Sequence, residues 1–131
     1  MINVVNNKKE ENVRKLAIII LLFIFSISVF AGGFIHPLEF KGTKAEKKEV
    51  IKYIKENVKK TYSKIGMDDP MTLRMMEKEE LKAFKKLTKV KNRKLLDKVI
   101  ATYCSIGMCN YTTLLMMYNE QESASKESLS W

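Results

Sequence analysis

The sequence predicts an all-α domain that follows an apolar segment, and three observations support this prediction. Residues 16–35, LAIIILLFIFSISVFAGGFI, contain no charged residue, and a helix that crosses about 30 Å of hydrocarbon needs about 20 such positions. Downstream, apolar residues recur at intervals of three and four, and no segment alternates with period two. Capping residues precede these stretches. We expect an N-terminal signal or anchor helix and then a small bundle of three to four amphipathic helices with one local disulfide.

The chain divides by composition into five segments. We expect a cytoplasmic n-region at 1–15, a signal peptide or transmembrane anchor at 16–35, a linker at 36–42, a helical domain at 43–118 and a disordered polar tail at 119–131. The serine-rich tail is too polar to form a core, and we expect no internal repeats.

The charges beside the apolar segment favour export of the domain. Arg14 and Lys15 abut the segment, whereas Lys41 stands six residues beyond it. The positive-inside rule therefore places the N-terminus in the cytoplasm. Cleavage after Ala31 and retention as an anchor both fit the sequence. We expect an inner-membrane anchor with the domain in the periplasm or another extracytoplasmic space, or secretion to the periplasm after cleavage.

The first helix is predicted to begin after Thr43, which forms a capping box with Glu46. An apolar stripe follows, and Gly66 suits the left-handed residue that ends a helix. The stripe contains Val50, Ile51, Ile54, Val58, Tyr62 and Ile65.

The second helix is predicted to begin at the MDDPM corner, where Asp69 caps the helix and Pro70 occupies its first turn. Its stripe contains Leu73, Met76, Glu80 or Leu81, Phe84 and Leu87. A third helix follows Asn92 and ends at Gly107, and a fourth follows Asn110. In the fourth helix Tyr111, Leu114, Leu115 and Tyr118 share a face.

The two cysteines, Cys104 and Cys109, flank the turn at Gly107. In an oxidising compartment we expect them to form a disulfide, which closes a six-residue loop and contributes about 2 kcal/mol.

The residue inventory argues against catalysis and metal binding. His36 is the only histidine, so neither a zinc site nor a Ser or Cys nucleophile with an imidazole base is predicted. Gly66 and Gly107 are isolated rather than part of a phosphate-binding loop. We expect no enzyme activity, no metal and no cofactor. The methionines suggest a further alternative function, a periplasmic Cu(I)-binding protein, since thioethers and thiols select Cu(I).

The predicted function is a small exported or membrane-tethered interaction module that binds an envelope protein. Accessory subunits of secretion or conjugation systems, and immunity, exclusion or lysis-regulating factors, are of this kind. Aromatic and methionine side chains are enriched in interfaces, so the predicted interaction patch contains Met75, Met76, Phe84, Tyr103, Met108, Tyr111, Met116, Met117 and Tyr118.

The alternative is a basic protein that binds a membrane surface or a polyanion. From residue 36 onward, twenty Lys and Arg face thirteen Asp and Glu, a net charge of +7. Most of the cations are lysines, which lack the fork of arginine, so no specific recognition of nucleic acid is expected. The predicted contacts to anionic lipid or cell-wall polymer are Lys48, Lys52, Lys55, Lys59 and Lys60.

Overall fold

The computed structural model describes residues 33–128, which form a helical bundle without strands. A short 3₁₀ helix, Pro37–Glu39, precedes four α-helices. These are α1 (Lys44–Ser63), α2 (Pro70–Leu87), α3 (Arg93–Ser105) and α4 (Tyr111–Ala124). No helix in this part of the chain is long and apolar enough to cross a bilayer. The predicted n-region and most of the predicted apolar segment lie outside the described residues.

Helix α1 begins where the capping box predicts. The Thr43 hydroxyl accepts a hydrogen bond from the Glu46 amide at 3.2 Å, and the Glu46 carboxylate accepts one from the Thr43 amide at 3.0 Å. Val50, Ile54 and Val58 of the predicted stripe are buried. Ile51 of the same stripe is exposed, so the stripe is correct for these three residues and wrong for Ile51.

Helices α2 and α4 also begin at their predicted caps, Asp69 and Asn110, and α3 begins at Asn92, near the predicted change of phase. The Asp69 carboxylate accepts from the amides of Met71 and Thr72. The Asn92 side chain accepts from the Leu95 amide, and that of Asn110 accepts from the Thr113 amide at 2.8 Å. Each cap satisfies backbone donors that a helix leaves unpaired at its N-terminus.

The four helices form two hairpins, α1–α2 and α3–α4, which pack through α2 and α4. Helix α4 begins beside Glu80, in the middle of α2, where the Tyr111 amide donates to the Glu80 carboxylate. It passes the end of α2 at Tyr118, whose hydroxyl accepts from the Asn92 amide. Helices α2 and α4 therefore run side by side in the same direction.

A single core joins the two hairpins. The Phe84 ring lies 4.9 Å from that of Tyr111 and 5.1 Å from that of Phe40. Around them are the remaining buried apolar side chains: Ile35, Val50, Ile54, Val58, Ala83, Leu87, Leu96, Val99, Leu114 and Tyr118.

The residues before α1 pack on this core rather than linking it loosely to the apolar segment. Phe34, predicted to belong to the apolar segment, lies 5.3 Å from the ring of Tyr111. The backbone of Ile35 exchanges two hydrogen bonds with the Tyr111 hydroxyl, at 3.3 and 3.0 Å. Pro37 of the predicted linker is buried. Four apolar residues supply the surface that holds this segment on the core: Phe34, Ile35, Pro37 and Phe40.

Helix α4 extends six residues beyond its predicted end at Tyr118, into the segment predicted to be a disordered tail. Glu, Gln and Ala favour helix, and Gln121 and Glu122 are half-buried. The Tyr118 hydroxyl donates to Glu122 one turn further on, at 3.4 Å. Polar composition alone therefore placed the end of the ordered domain too early.

Candidate interaction surface

The two hairpins share a stretch of sequence, contrary to the expectation of no internal repeats. Residues 58–76, VKKTYSKIGMDDPMTLRMM, and residues 99–117, VIATYCSIGMCNYTTLLMM, are identical at ten of nineteen aligned positions. The repeat spans the end of the first helix, the corner and the first turns of the second helix in each hairpin. It contains all seven methionines between residues 33 and 128, and six of them form the pairs Met67 and Met108, Met75 and Met116, and Met76 and Met117.

The backbone repeats with the sequence at both corners. Gly66 and Gly107 have φ of 70° and 81°, the left-handed conformation that glycine favours at a helix end. The Met67 amide donates to the Tyr62 carbonyl at 3.0 Å, and the Met108 amide donates to the Tyr103 carbonyl at 2.9 Å. Both corners are therefore Schellman motifs with the same side chains at equivalent positions.

Three pairs of repeated side chains are exposed to nearly the same extent. The exposed fractions are 64% and 65% for Ile65 and Ile106, 48% and 43% for Met67 and Met108, and 54% and 54% for Met75 and Met116. These six residues, which we call the corner set, are most of the eight large apolar residues exposed within residues 33–128. The exposed apolar surface is therefore duplicated along with the fold.

Packing within each corner explains only part of this pattern. A Schellman motif places its last residue against the residue at the third position from the helix end, here Met67 near Tyr62 and Met108 near Tyr103. The motif does not require an isoleucine between them, yet Ile65 and Ile106 are about two-thirds exposed. Packing within the corners therefore does not account for the exposure of these two isoleucines.

The first corner projects beyond the second. Helix α4 starts opposite Glu80, ten residues after the start of α2, which corresponds to about 15 Å along a helix. No residue from Lys59 to Glu79 is buried. The end of the α1–α2 hairpin therefore extends past the α3–α4 corner.

A notch lies between the projecting hairpin and the start of α4. It has a volume of about 190 Å³. The Tyr62 hydroxyl donates to the Met76 sulfur at its wall. Polar groups of Asn57, Thr61 and Thr113 also line it. The notch thus combines a thioether with hydrogen-bonding groups.

The second corner is fixed by a disulfide, as predicted. Cys104 and Cys109 are joined, with their Cα atoms 4.2 Å apart. The Cys109 carbonyl accepts hydrogen bonds from the Tyr53 hydroxyl and, at 3.2 Å, from the Asn57 amide group, both on α1. The disulfide closes the α3–α4 corner, and the two hydrogen bonds from α1 hold this corner against the first hairpin.

Glu80 secures the start of α4, a role that the sequence did not indicate. Its carboxylate is buried and accepts hydrogen bonds from the Tyr111 amide at 2.7 Å, the Thr112 amide at 3.3 Å and the Thr112 hydroxyl. The partial positive charge of the helix N-terminus favours a carboxylate there. The only hint in the sequence was the position of Glu80 on an apolar stripe.

Burial raises the pKa of two tyrosines beside this carboxylate. The pKa of Tyr53 rises to about 12, chiefly because the phenol is desolvated and secondarily because Glu80 is negative. The pKa of Tyr111 is also raised, again mainly by burial. Both side chains are therefore neutral hydrogen-bond donors over the physiological pH range.

The predicted interaction patch is wrong for three of its nine residues, because these are buried. The other six are divided between half-buried and exposed positions. Phe84, Tyr111 and Tyr118 are buried because their rings fill the space between the hairpins. Met76, Tyr103 and Met117 are half-buried. Met75, Met108 and Met116 are exposed and belong to the corner set.

Ile65, Ile106 and Met67 are absent from the predicted patch, and Ile65 was predicted to lie on the core stripe of α1. Aligning the two corners would have revealed all three, since each is identical in both copies. Met71, on the first corner only, is also exposed.

The five lysines predicted to contact anionic surfaces are all exposed along α1. The Cu(I) alternative predicted for the methionines loses both thiol ligands, because the two cysteines are bonded to each other.

No protein-family model, curated protein or solved structure matches this chain.

Proposed function

We propose that this chain is a small exported or membrane-tethered interaction module of the cell envelope, and that its duplicated corners dock a protein partner. The observation that carries the proposal is the corner set, in which the same three apolar side chains are exposed at the same positions of both hairpins. Isolated exposed apolar residues are common on protein surfaces, but a duplicated set with matching exposure indicates a shared contact.

The proposed activity is binding rather than catalysis. The single histidine, His36, is held by two hydrogen bonds, accepting from the Leu38 amide at 3.2 Å and bonding Asp97 at 2.9 Å. The buried carboxylate of Glu80 is occupied by the start of α4. Both groups thus have structural partners.

The disulfide supports the proposed extracytoplasmic location, since such bonds persist in oxidising compartments. Phe34 and Ile35 belong to the bundle, so a membrane segment would occupy residues 16–33. Eighteen residues still satisfy the length that a spanning helix needs. Within the envelope, we propose a role as an accessory subunit of a secretion or conjugation system, or as an immunity, exclusion or lysis-regulating factor.

Photo-cross-linking in cells tests the docking proposal. A photoreactive residue at position 65 or 106 is expected to capture the same protein, because the two corners are equivalent. Position 51 is the matched control, since Ile51 is also an exposed isoleucine but lies outside the repeat. Capture of one partner from position 51 as efficiently as from the corners would contradict the proposal.

The location is tested separately by a reporter fused after Trp131 and by alkylation of the unreduced protein. We expect a reporter that requires export to be active and neither cysteine to be alkylated. A reporter active only in the cytoplasm, together with two alkylated cysteines, would overturn the proposed compartment.

A further inference from the structure

The net charge of the described chain is concentrated in one stretch. Residues 82–98 contain eight cationic residues and one acidic residue, Asp97, a net charge of +7. The remainder of residues 33–128 contains twelve cationic and twelve acidic residues and is neutral. The same length of α1, residues 44–60, has seven lysines and three glutamates, a net charge of +4.

Most cations in this stretch have no acidic partner. Arg93 lies 2.7 Å from Glu39 and 3.6 Å from Asp97, and Lys82 lies 3.7 Å from Glu79. Within residues 33–128, the other six lie more than 4.0 Å from any carboxylate: Lys85, Lys86, Lys89, Lys91, Lys94 and Lys98. All six are exposed.

These six lysines occupy one end of the bundle, which we call the basic end. They extend over the last turn of α2, the turn at 88–92 and the first turns of α3. The corners at 64–69 and 106–110 join the other ends of the same helices. The basic end and the two corners therefore lie at opposite ends of the bundle, whereas Met116 of the corner set lines a groove on the side of the bundle with Lys82 and Lys86.

We propose that the basic end contacts the anionic phospholipid headgroups of the membrane. Charge complementarity favours this occupant: each lysine near an anionic bilayer contributes about 1 kcal/mol, an effect that acts over about a Debye length. Seven of the eight cations are lysines, which act as point charges on a diffuse surface and lack the fork that reads bases or single phosphates. Contact at this end would direct the two corners, with Ile65 and Ile106, away from the bilayer.

The inference rests on the proposed membrane tether, which would bring the basic end close to lipid. The lipid contact is nevertheless tested separately from the tether. The full chain is reconstituted into vesicles of phosphatidylcholine, with or without phosphatidylglycerol. Lysines are then acylated and the rate at each one is measured by mass spectrometry. In vesicles with phosphatidylglycerol at low salt, we expect the rates at Lys85, Lys89 and Lys91 to fall about fivefold, the factor equivalent to about 1 kcal/mol. High salt should restore them, and the rates at Lys52 and Lys55 should not change.

Two variants that remove the same charge serve as a matched pair. K85Q/K86Q/K89Q/K91Q is expected to abolish protection of Lys94 and Lys98. K52Q/K55Q/K59Q/K60Q is expected to retain it. Equal effects of the two variants, or equal protection in phosphatidylcholine alone, would overturn the proposal.

A soluble polyanion is the rival occupant. Duplex DNA added to the phosphatidylcholine vesicles should protect the same lysines less than phosphatidylglycerol does; stronger protection by DNA would assign the basic end to nucleic acid and overturn the lipid proposal.

Flotation of the same samples at high salt tests the tether. Release from phosphatidylcholine would refute the tether, while the acylation rates would still decide the lipid contact.

Discussion

A few buried polar side chains determine how the two hairpins are joined. Glu80 on α2 caps the start of α4, Tyr53 and Asn57 on α1 hold the Cys109 carbonyl, and Tyr111 on α4 binds the backbone of Ile35. Every buried side-chain polar atom within residues 33–128 has a hydrogen-bond partner. Buried polar groups are costly unless paired, so these contacts favour one arrangement of the hairpins over others.

The first prediction concerns Glu80. Glu80→Gln replaces an acceptor of three hydrogen bonds with an amide whose NH₂ group faces backbone donors. We expect the free energy of unfolding to fall by about 2 kcal/mol, the cost of leaving buried groups unpaired. Urea unfolding of the full chain in mild detergent, followed by circular dichroism, measures this change.

Glu79→Gln is the matched control, since Glu79 is exposed and makes only a surface ion pair with Lys82. A surface change of this kind alters stability by about 0.5 kcal/mol or less. Equal losses for the two variants would show that the buried carboxylate has no special role.

The second prediction concerns pH and Tyr53. A neutral Tyr53 donates to the Cys109 carbonyl, so Tyr53→Phe should cost about 1 kcal/mol of unfolding free energy at neutral pH. The folded pKa, about 12, is raised above the ordinary value of 10. The stability that Tyr53 contributes is therefore complete below pH 10 and is lost as pH rises towards 12.

Unfolding of the wild type and of Tyr53→Phe across this range measures the effect. The difference between the two proteins should vanish between pH 10 and pH 12. A difference that stays constant through pH 12 would mean that the tyrosine proton is not involved.

At the scale of elements, the starts of the helices could be predicted because capping is local. Thr43 with Glu46, Asp69, Asn92 and Asn110 each contact backbone amides within three residues. The disulfide was also predictable, since its cysteines flank a single turn.

Contacts between elements could not be predicted in the same way. Ile65 follows the spacing of a core stripe but lies beyond Val58, the last buried residue of α1. Glu80 is buried only because α4 begins beside it. The packing of Phe34 on the bundle depends on Tyr53 and Tyr111, which are distant in sequence. The repeat of the two corners is present in the sequence, but it is hard to detect because the sequences of the flanking helices have diverged.

The third prediction concerns the α3–α4 corner. Cys104→Ser with Cys109→Ser opens a loop of six residues, and the chain-entropy relation gives a loss of about 2 kcal/mol in the free energy of unfolding. Urea unfolding of the oxidised protein and of the variant measures it.

Reduction provides the control for this experiment. A reductant should lower the stability of the wild type by a similar amount and leave the double variant unchanged. Equal stability of the oxidised wild type and the variant would show that the hydrogen bonds of Tyr53 and Asn57 are sufficient to hold the corner.

At the scale of the whole molecule, the bundle has two chemically different ends. One end presents the two corners with Ile65, Met67, Ile106 and Met108, and the other carries six lysines that have no carboxylate partner within residues 33–128. A chain with this polarity is suited to lie between a membrane and a protein. This placement is part of the proposal, and the lipid contact of the basic end depends on the proposed tether.

The duplication predicts how much each corner should contribute to the affinity for the partner. If both corners contact the partner, loss of either isoleucine should weaken binding to a similar extent, because Ile65 and Ile106 are equally exposed. Apolar anchors at the centre of an interface typically contribute more than 1 kcal/mol each, which corresponds to about tenfold in affinity for 1.4 kcal/mol. An isoleucine elsewhere on the surface should contribute little.

The most direct test of the account is therefore the affinity of the full chain for the protein captured from the corners, compared among Ile65→Ser, Ile106→Ser and Ile51→Ser. We expect the two corner variants each to bind about tenfold more weakly than the wild type, and the Ile51 variant to bind normally. Unchanged affinity in both corner variants, or an equal loss in all three, would contradict the assignment of the duplicated corners as the docking surface.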